Sequence, residues 1–247
     1  MIQPLQSSLP YDPFTKPRLP GVQPLDMDDW LIRDDAFAGQ MALRDQLLAE
    51  RRDMVIALDD SAREAAEELL DLVLGLAYPG AGTTVTRPDG AEITVDRTDP
   101  LGTLGRLVQE DLCLMQKHGD EHVLTGAVLC FPASWMLAEK VMRPLLRIHQ
   151  PVEPYDENIA ARVQRLFDGV RPGRPLWRFN ALWYENPTLF QPRSEADRRP
   201  GRRAQIAPFF RSERQSILRL PQSGAVVFSI HTFMVPRDRI EAQFGAR

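Results

Sequence analysis

Trp177-Arg178-Phe179-Asn180-Ala181-Leu182-Trp183-Tyr184 alternates in character residue by residue. Successive side chains of an extended strand point to opposite sides, so Trp177, Phe179, Ala181 and Trp183 share one face and Arg178, Asn180, Leu182 and Tyr184 the other. One face packs; the other can line a polar cavity. Two more strand-like runs follow, Phe209 to Leu220 and Ala225 to Val235, joined through Pro221-Gln222-Ser223-Gly224, a turn sequence that suits a hairpin. Together they predict an antiparallel meander in the last third of the chain. The five arginines from Arg193 to Arg203, with Pro192 and Pro200, predict an exposed loop between its strands.

Working upstream, the period changes. A helix is predicted from Asp156, its cap, to Asp168, with Ile159, Val163, Leu166 and Phe167 facing inward and Gly169 at its end. Before it, Val123 to Phe131 reads as a strand, while Leu101, Leu104, Val108, Leu112 and Met115 have helical spacing. Thr83 to Thr86 and Ile93 to Val95 flank Arg87-Pro88-Asp89-Gly90 and predict a hairpin. A capping box of Ser61 and Glu64 opens a helix striped by Ala65, Leu69, Leu72, Val73 and Leu76 and closed by Pro79 and Gly80. Phe37, Met41, Leu47 and Leu48 predict another helix from Asp34 to about Arg52. Helices set between hairpins, without strict strand-helix alternation, predict an α+β fold with an antiparallel sheet. Residues 1–30 carry six prolines and predict an extended Pro-rich N-terminal arm anchored by Tyr11, Phe14, Leu25 and Trp30, anchors that suit a subunit contact equally well. Residues 31–247 are then a single domain.

At 247 residues and 43% hydrophobic, the chain can bury a full core. Its formal net charge of −4, with both signs interspersed, supplies no global field for nucleic acid or anionic lipid. The N-terminus lacks the pattern of a secretory signal, and the longest nearly uncharged stretch, His122 to Ala138, is too short to span a bilayer, so a cytoplasmic protein is expected. Two cysteines, Cys113 and Cys130, fall in apolar segments; they cannot furnish an iron-sulfur cluster or a zinc pair. Gly80-Ala81-Gly82 is no dinucleotide fingerprint, and there is no Walker lysine or Gly-x-Ser-x-Gly elbow.

The four histidines are the obvious chemical candidates. His118 and His122 sit beside Lys117, Gly119, Asp120 and Glu121 and read as a solvated turn. His149 lies in Leu145-Leu146-Arg147-Ile148-His149-Gln150-Pro151-Val152-Glu153-Pro154-Tyr155, where two prolines predict a rigid corner. An imidazole fixed there suits a metal, or else bonds a backbone carbonyl as a structural residue. His231 is the rival, on a strand face shared with Val227, Ser229, Phe233 and Val235. Glu213-Arg214-Gln215 interrupts an otherwise apolar hairpin, and polar groups so placed pair with one another or line a site.

Four segments together resemble the haem-dependent oxidative N-demethylase family: Leu25 to Leu31; Gln109-Glu110-Asp111-Leu112-Cys113-Leu114-Met115; Cys130-Phe131-Pro132 and Trp135 through Ile148-His149-Gln150-Pro151-Val152; and Arg211 to Pro221 continuing through Gly224-Ala225-Val226 to Thr232. The resemblance implies a PAS-like sheet that binds haem b, with His149 as the iron ligand; family members are expected to continue with more helical sequence where this sequence departs by stopping at Arg247, soon after its last strand. It implies an oxygenase subunit that removes a methyl group from a small secondary amine such as dimethylamine, using dioxygen and releasing formaldehyde. Under this reading Glu213 and Tyr184 are the candidate catalytic residues, and Arg178, Arg214, Lys140 and Tyr184 the candidate donors to the haem carboxylates. NADPH, flavin and iron-sulfur chemistry then belong to a separate reductase subunit, in a homo- or hetero-oligomer. A PAS-like haem or small-ligand sensor without catalysis is the alternative, as is a relative that has lost its haem.

Overall fold

The structure is a computed structural model that describes residues 4–15, 21–149, 157–197 and 207–245, with the backbone alone at 149 and 157–161. In chain order the elements are β1 (Gln23–Pro24), α1 (Phe37–Glu50), α2 (Arg52–Val55), β2 (Ile56–Leu58), α3 (Arg63–Ala77), β3 (Thr84–Thr86), β4 (Glu92–Thr94), α4 (Pro100–Leu107), β5 (Asp111–His118), β6 (Glu121–Val128), α5 (Leu137–Lys140), α6 (Leu145–His149), α7 (Glu157–Gly169), β7 (Leu176–Tyr184), β8 (Phe209–Arg219), β9 (Val226–Pro236) and α8 (Arg237–Phe244). Seven strands form one sheet in the order β1-β7-β8-β9-β5-β6-β2, and β3-β4 form a separate hairpin. Every neighbouring pair of the large sheet is antiparallel. The fold is therefore α+β, and the meander expected in the last third is present as β7-β8-β9.

The sheet has two differently used faces. On the first, Leu112, Leu114, Val128, Leu218 and Val227 meet Leu47 and Leu48 of α1, Leu69, Leu70 and Val73 of α3, and Leu101, Leu104 and Leu107 of α4. Trp30 joins this core, while Tyr11 and Phe14 pack beside Phe210, Phe233 and Val235 farther along the same face. On the second face, Cys113, Met115, Ala127, Ile217 and Val226 meet Leu137 of α5, Leu145 of α6 and Phe167 and Val170 beside α7. Arg219 fixes α7 there by donating to the carbonyls of Phe167 (2.7 Å) and Val170 (2.8 Å) at its C-terminal end, where the helix dipole favours a cation.

Three local expectations are corrected. Helical spacing does not continue to Met115: α4 ends at Leu107 and β5 begins at Asp111. Leu112 to Met115 are all buried because β5 is covered on both faces, and a doubly buried strand reads as a continuous apolar run. The Ser61-Glu64 capping box does not form; Asp59 instead accepts from the Ser61 amide (3.0 Å) and hydroxyl (2.6 Å) in a 3-10 turn before α3. His122 is not in a solvated turn. It is 1% exposed, its Nδ1 2.7 Å from Gln164 of α7 and its ring beside Phe167. Burial lowers its pKa.

The loop entering β5 carries a second core, made of charge. Arg44 of α1 is fully buried; its guanidinium donates to the carbonyls of Gly105 (2.9 Å), Gln109 (3.2 Å) and Glu110 (3.0 Å) and to Asp111 Oδ1 (2.7 Å). Asp111 also accepts from the backbone amides of Cys130 (2.7 Å) and Phe131 (2.8 Å). Cys113 and Cys130 are buried free thiols, and burial pushes the pKa of Cys130 up to about 12.

Gly105 is where α4 comes closest to its neighbours. A Cβ there would lie 2.8 Å from Val128 Cγ2 and 3.0 Å from Leu48 Cδ1, both fully packed. Gly105→Val is expected to lower stability by about 3 kcal/mol through overpacking, read as a shift in the urea midpoint; an unchanged midpoint would mean that the helix backs away at no cost.

Beyond Ile230, β9 has lost its neighbour β5, which pairs only as far as Asp111. Glutamines take the strand's place. Gln6 exchanges bonds with Met234 through its backbone amide (3.0 Å) and side-chain oxygen (2.8 Å), and the Thr232 carbonyl accepts from the side-chain amides of Gln40 (3.0 Å) and Gln6 (3.3 Å).

Candidate functional site

Strand β8 sorts the polar residues of the last hairpin by parity. Arg211, Glu213 and Gln215 point to the face that carries α5 to α7, and Ser212, Arg214 and Ser216 to the other. On the first of these faces Asn180 of β7, Glu213 of β8 and Thr232 of β9 form one cross-strand row. Because the Thr232 carbonyl turns outward to Gln40 and Gln6, Glu213 and Thr232 form a pair without mutual backbone bonds, the kind whose side chains stand closer.

The row descends from solvent into the protein. Asn180 and Arg178 are exposed, Glu213 is 14% exposed and Thr232 1%. Arg211 Nε (3.2 Å) and Gln215 Nε2 (3.3 Å) each donate to one oxygen of Glu213, and Arg211 is itself anchored on the carbonyls of Leu189 (3.1 Å) and Phe131 (2.6 Å). A carboxylate has about four acceptor positions, so Glu213 keeps acceptor capacity. The Thr232 hydroxyl has no hydrogen-bond partner among the described residues. A buried hydroxyl left so costs about 1–3 kcal/mol; Trp30 Nε1, Asp45 Oδ1, Glu110 Oε2 and Gln116 Oε1 are likewise without a partner among the described residues. Tyr184, half-buried at the end of β7, has its ring 5.9 Å from the Arg211 guanidinium carbon.

The same face seats α6. Leu145 and Ile148 pack into the cluster with Ile217 and Phe228. Residues 145–149, expected to run into a corner, form a short helix, and 150–156 lie outside the described residues. Lys140 of α5 donates to the carbonyl of Ile148 (2.7 Å) and pairs with Glu195, whose other oxygen takes Arg147 (2.9 Å). Arg147 and Lys140 hold the Glu195 carboxyl below the usual carboxylate range. Glu139 accepts from the Ser194 hydroxyl (2.6 Å) and the Glu195 amide (2.9 Å), closing the clamp. The Lys140 ammonium thus holds the last turn of the helix that ends in His149; the His149 side chain lies outside the described residues.

Arg214 and His231 lie on the opposite face, away from Glu213. Arg214 donates to the carbonyl of Asp29 (2.8 Å) and lies over Trp177, and burial lowers its pKa. His231 has Nδ1 2.9 Å from Glu110 and Nε2 3.0 Å from Asp34. Burial opposes protonation, but the two carboxylates outweigh it and raise the pKa to about 9. An imidazolium with both nitrogens engaged has no lone pair to give a metal.

Residues 21–247 match a protein family described as haem-dependent oxidative N-demethylase, alpha subunit-like. The chain belongs to that family. The description of the haem-dependent oxidative N-demethylase family carries a haem cofactor, oxidative N-demethylase-like chemistry and, from its alpha-subunit-like wording, a multi-subunit setting. The Glu213 face has a donor set that fits such a cofactor. It offers a buried orphan hydroxyl, apolar walls at Ile217 and Phe228, a guanidinium at Arg178 for a carboxylate, and a helix ending in a histidine. No helix among the described residues is long and apolar enough to cross a membrane.

Thr232 and Arg211 are not singled out by the sequence, and Gln215 enters only within the Glu213-Arg214-Gln215 run. The signal for two of them was present, since Arg211, Glu213 and Gln215 are three alternate polar positions of one strand. For Thr232 only the cross-strand register gives the place.

Proposed function

We propose that this chain is the oxygenase subunit of an oxidative N-demethylase that acts on a small secondary amine such as dimethylamine, in a PAS-like domain spanning residues 31–247 with residues 1–30 as an arm. The orphaned hydroxyl of Thr232 beside Glu213, on the face that seats α6, carries the reading. His149 would hold haem b through its imidazole: its helix packs on that face, where the other described histidine, His122, is bonded to Gln164, whereas His231 is held protonated on the opposite face. When bound, the haem supplies dioxygen activation. The amine arrives as a cation, and Glu213 holds it and takes its proton, freeing the lone pair before oxidation. Arg211 and Gln215 keep Glu213 aimed, and Tyr184 stands on the same face at the end of β7. Arg178, exposed on the same face, would pair with a haem carboxylate, while Lys140 acts by fixing α6. Arg214, across the sheet, steadies the opposite face. In overall balance, secondary amine, dioxygen, two electrons and two protons give primary amine, formaldehyde and water. The electrons come from NADPH through a flavin and iron-sulfur reductase on a partner subunit, in the cytoplasm.

The test is the visible spectrum of the purified protein, as isolated and with added hemin, for wild type, His149→Ala and His231→Gln, each first shown to be folded by circular dichroism. A Soret band lost in the His149 variant alone is expected. A band that survives His149→Ala would overturn the ligand assignment, and no band in any sample would overturn the haem reading.

A further inference from the structure

We infer that Thr232 and Glu213 form a two-acceptor seat that recognises a dialkylammonium by its two N–H groups, making Thr232 a specificity-determining residue. This rests on the proposed demethylase reading and deepens it at the same face.

The argument starts from what is unfilled. Thr232 is 1% exposed and its hydroxyl meets no partner among the described residues. Its neighbour directly across the ladder is Glu213, in a close pair whose backbone groups do not bond each other. Two acceptors therefore stand side by side: a hydroxyl oxygen that carries no charge and a carboxylate that carries one. The carboxylate cannot swing away, because Arg211 and Gln215 hold one oxygen each. Nor can the Thr232 backbone move freely, with its carbonyl held by two glutamines. Thr232 lies at the buried end of the row and Asn180 at the exposed end, so solvent is nearest on the β7 side.

The chemistry selects among amines. A dialkylammonium has one positive charge and two N–H donors; Glu213 neutralises the charge and accepts one N–H, and Thr232 Oγ1 accepts the second. A trialkylammonium has the same charge and one N–H, so it satisfies Glu213 and leaves Thr232 orphaned. A quaternary ammonium satisfies neither by hydrogen bonding. The unpaired buried group then acts against the wrong ligand more strongly than the extra contact favours the right one.

Calorimetric titration of the holoprotein with dimethylammonium and trimethylammonium chloride tests this. Wild type is expected to bind dimethylammonium about tenfold more tightly, the worth of one hydrogen bond to a charged group. Thr232→Val should remove that preference by weakening dimethylammonium alone, Thr232→Ser should keep it, and Glu213→Gln should weaken both ions. The Soret band is recorded on each sample, so loss of haem, which counts against the demethylase reading, is separated from loss of amine selection. Equal affinity of wild type for the two ions, or dimethylammonium binding that is unchanged in Thr232→Val, overturns the seat. So does the absence of any ammonium binding by a haem-loaded wild type.

Discussion

Asp111→Ala is expected to lower the stability of the folded protein by about 3–5 kcal/mol, the cost of leaving a buried charge without its partner. The Asp111 carboxylate serves three donors at once: the Arg44 guanidinium and the amides of Cys130 and Phe131. With alanine in its place, Arg44 remains 0% exposed, facing three carbonyls that cannot neutralise it. Two backbone amides are also orphaned at the point where the chain leaves β6. The measurement is urea denaturation followed by tryptophan fluorescence. Arg44→Met combined with Asp111→Leu should recover part of the loss, because an apolar pair of similar volume carries no desolvation penalty. A loss below about 1 kcal/mol in Asp111→Ala would show that the three carbonyls suffice to hold the guanidinium.

The second large effect is a pH dependence set by His231. Its pKa is about 9 in the folded protein, against roughly 6.5 in an unfolded chain. A base whose pKa is raised by folding stabilises fully below the unfolded value and loses that contribution as pH climbs through the folded one. Stability should therefore fall by on the order of 3 kcal/mol between about pH 6.5 and pH 10. At the acid end the sign reverses. Asp34, bonded to His231, Gln109 and Gln6, sits below the ordinary carboxylate range despite burial, so its contribution is present above that range and is lost as pH falls through the depressed value. Comparing denaturation midpoints of wild type and His231→Gln across this range isolates the term. Parallel profiles for the two proteins would show that the imidazolium is not what couples stability to pH.

Much of the fold was legible because local chemistry and packing agree. The alternation in β7 and the Pro221 to Gly224 turn define the meander without help from distant residues. The misreading of β5 as helix has the opposite cause: a strand buried on both faces has no period of its own, so the spacing of Leu112 and Met115 carries no information about conformation once the chain leaves α4 at Val108. Of the site, Glu213 was legible as a polar interruption. Its grouping with Arg214 was not, since adjacent strand residues face opposite sides and only the register assigns each side a role. The charged cores escaped for a similar reason. Arg44 and Asp111 are 67 residues apart, and His231 and Asp34 are 197 apart; nothing in either neighbourhood names its partner.

The glutamines beside β9 have a further consequence for how the molecule behaves in a crowded solution. A strand that outruns its neighbour presents bare amides and carbonyls to any extended peptide, and such margins nucleate intermolecular pairing. Gln6 and Gln40 occupy that margin with side-chain amides, which mimic a strand in bonding yet cannot propagate one, because no next strand can add to them. The gap left beside an interior strand is thus filled chemically, by residues that imitate backbone and then stop.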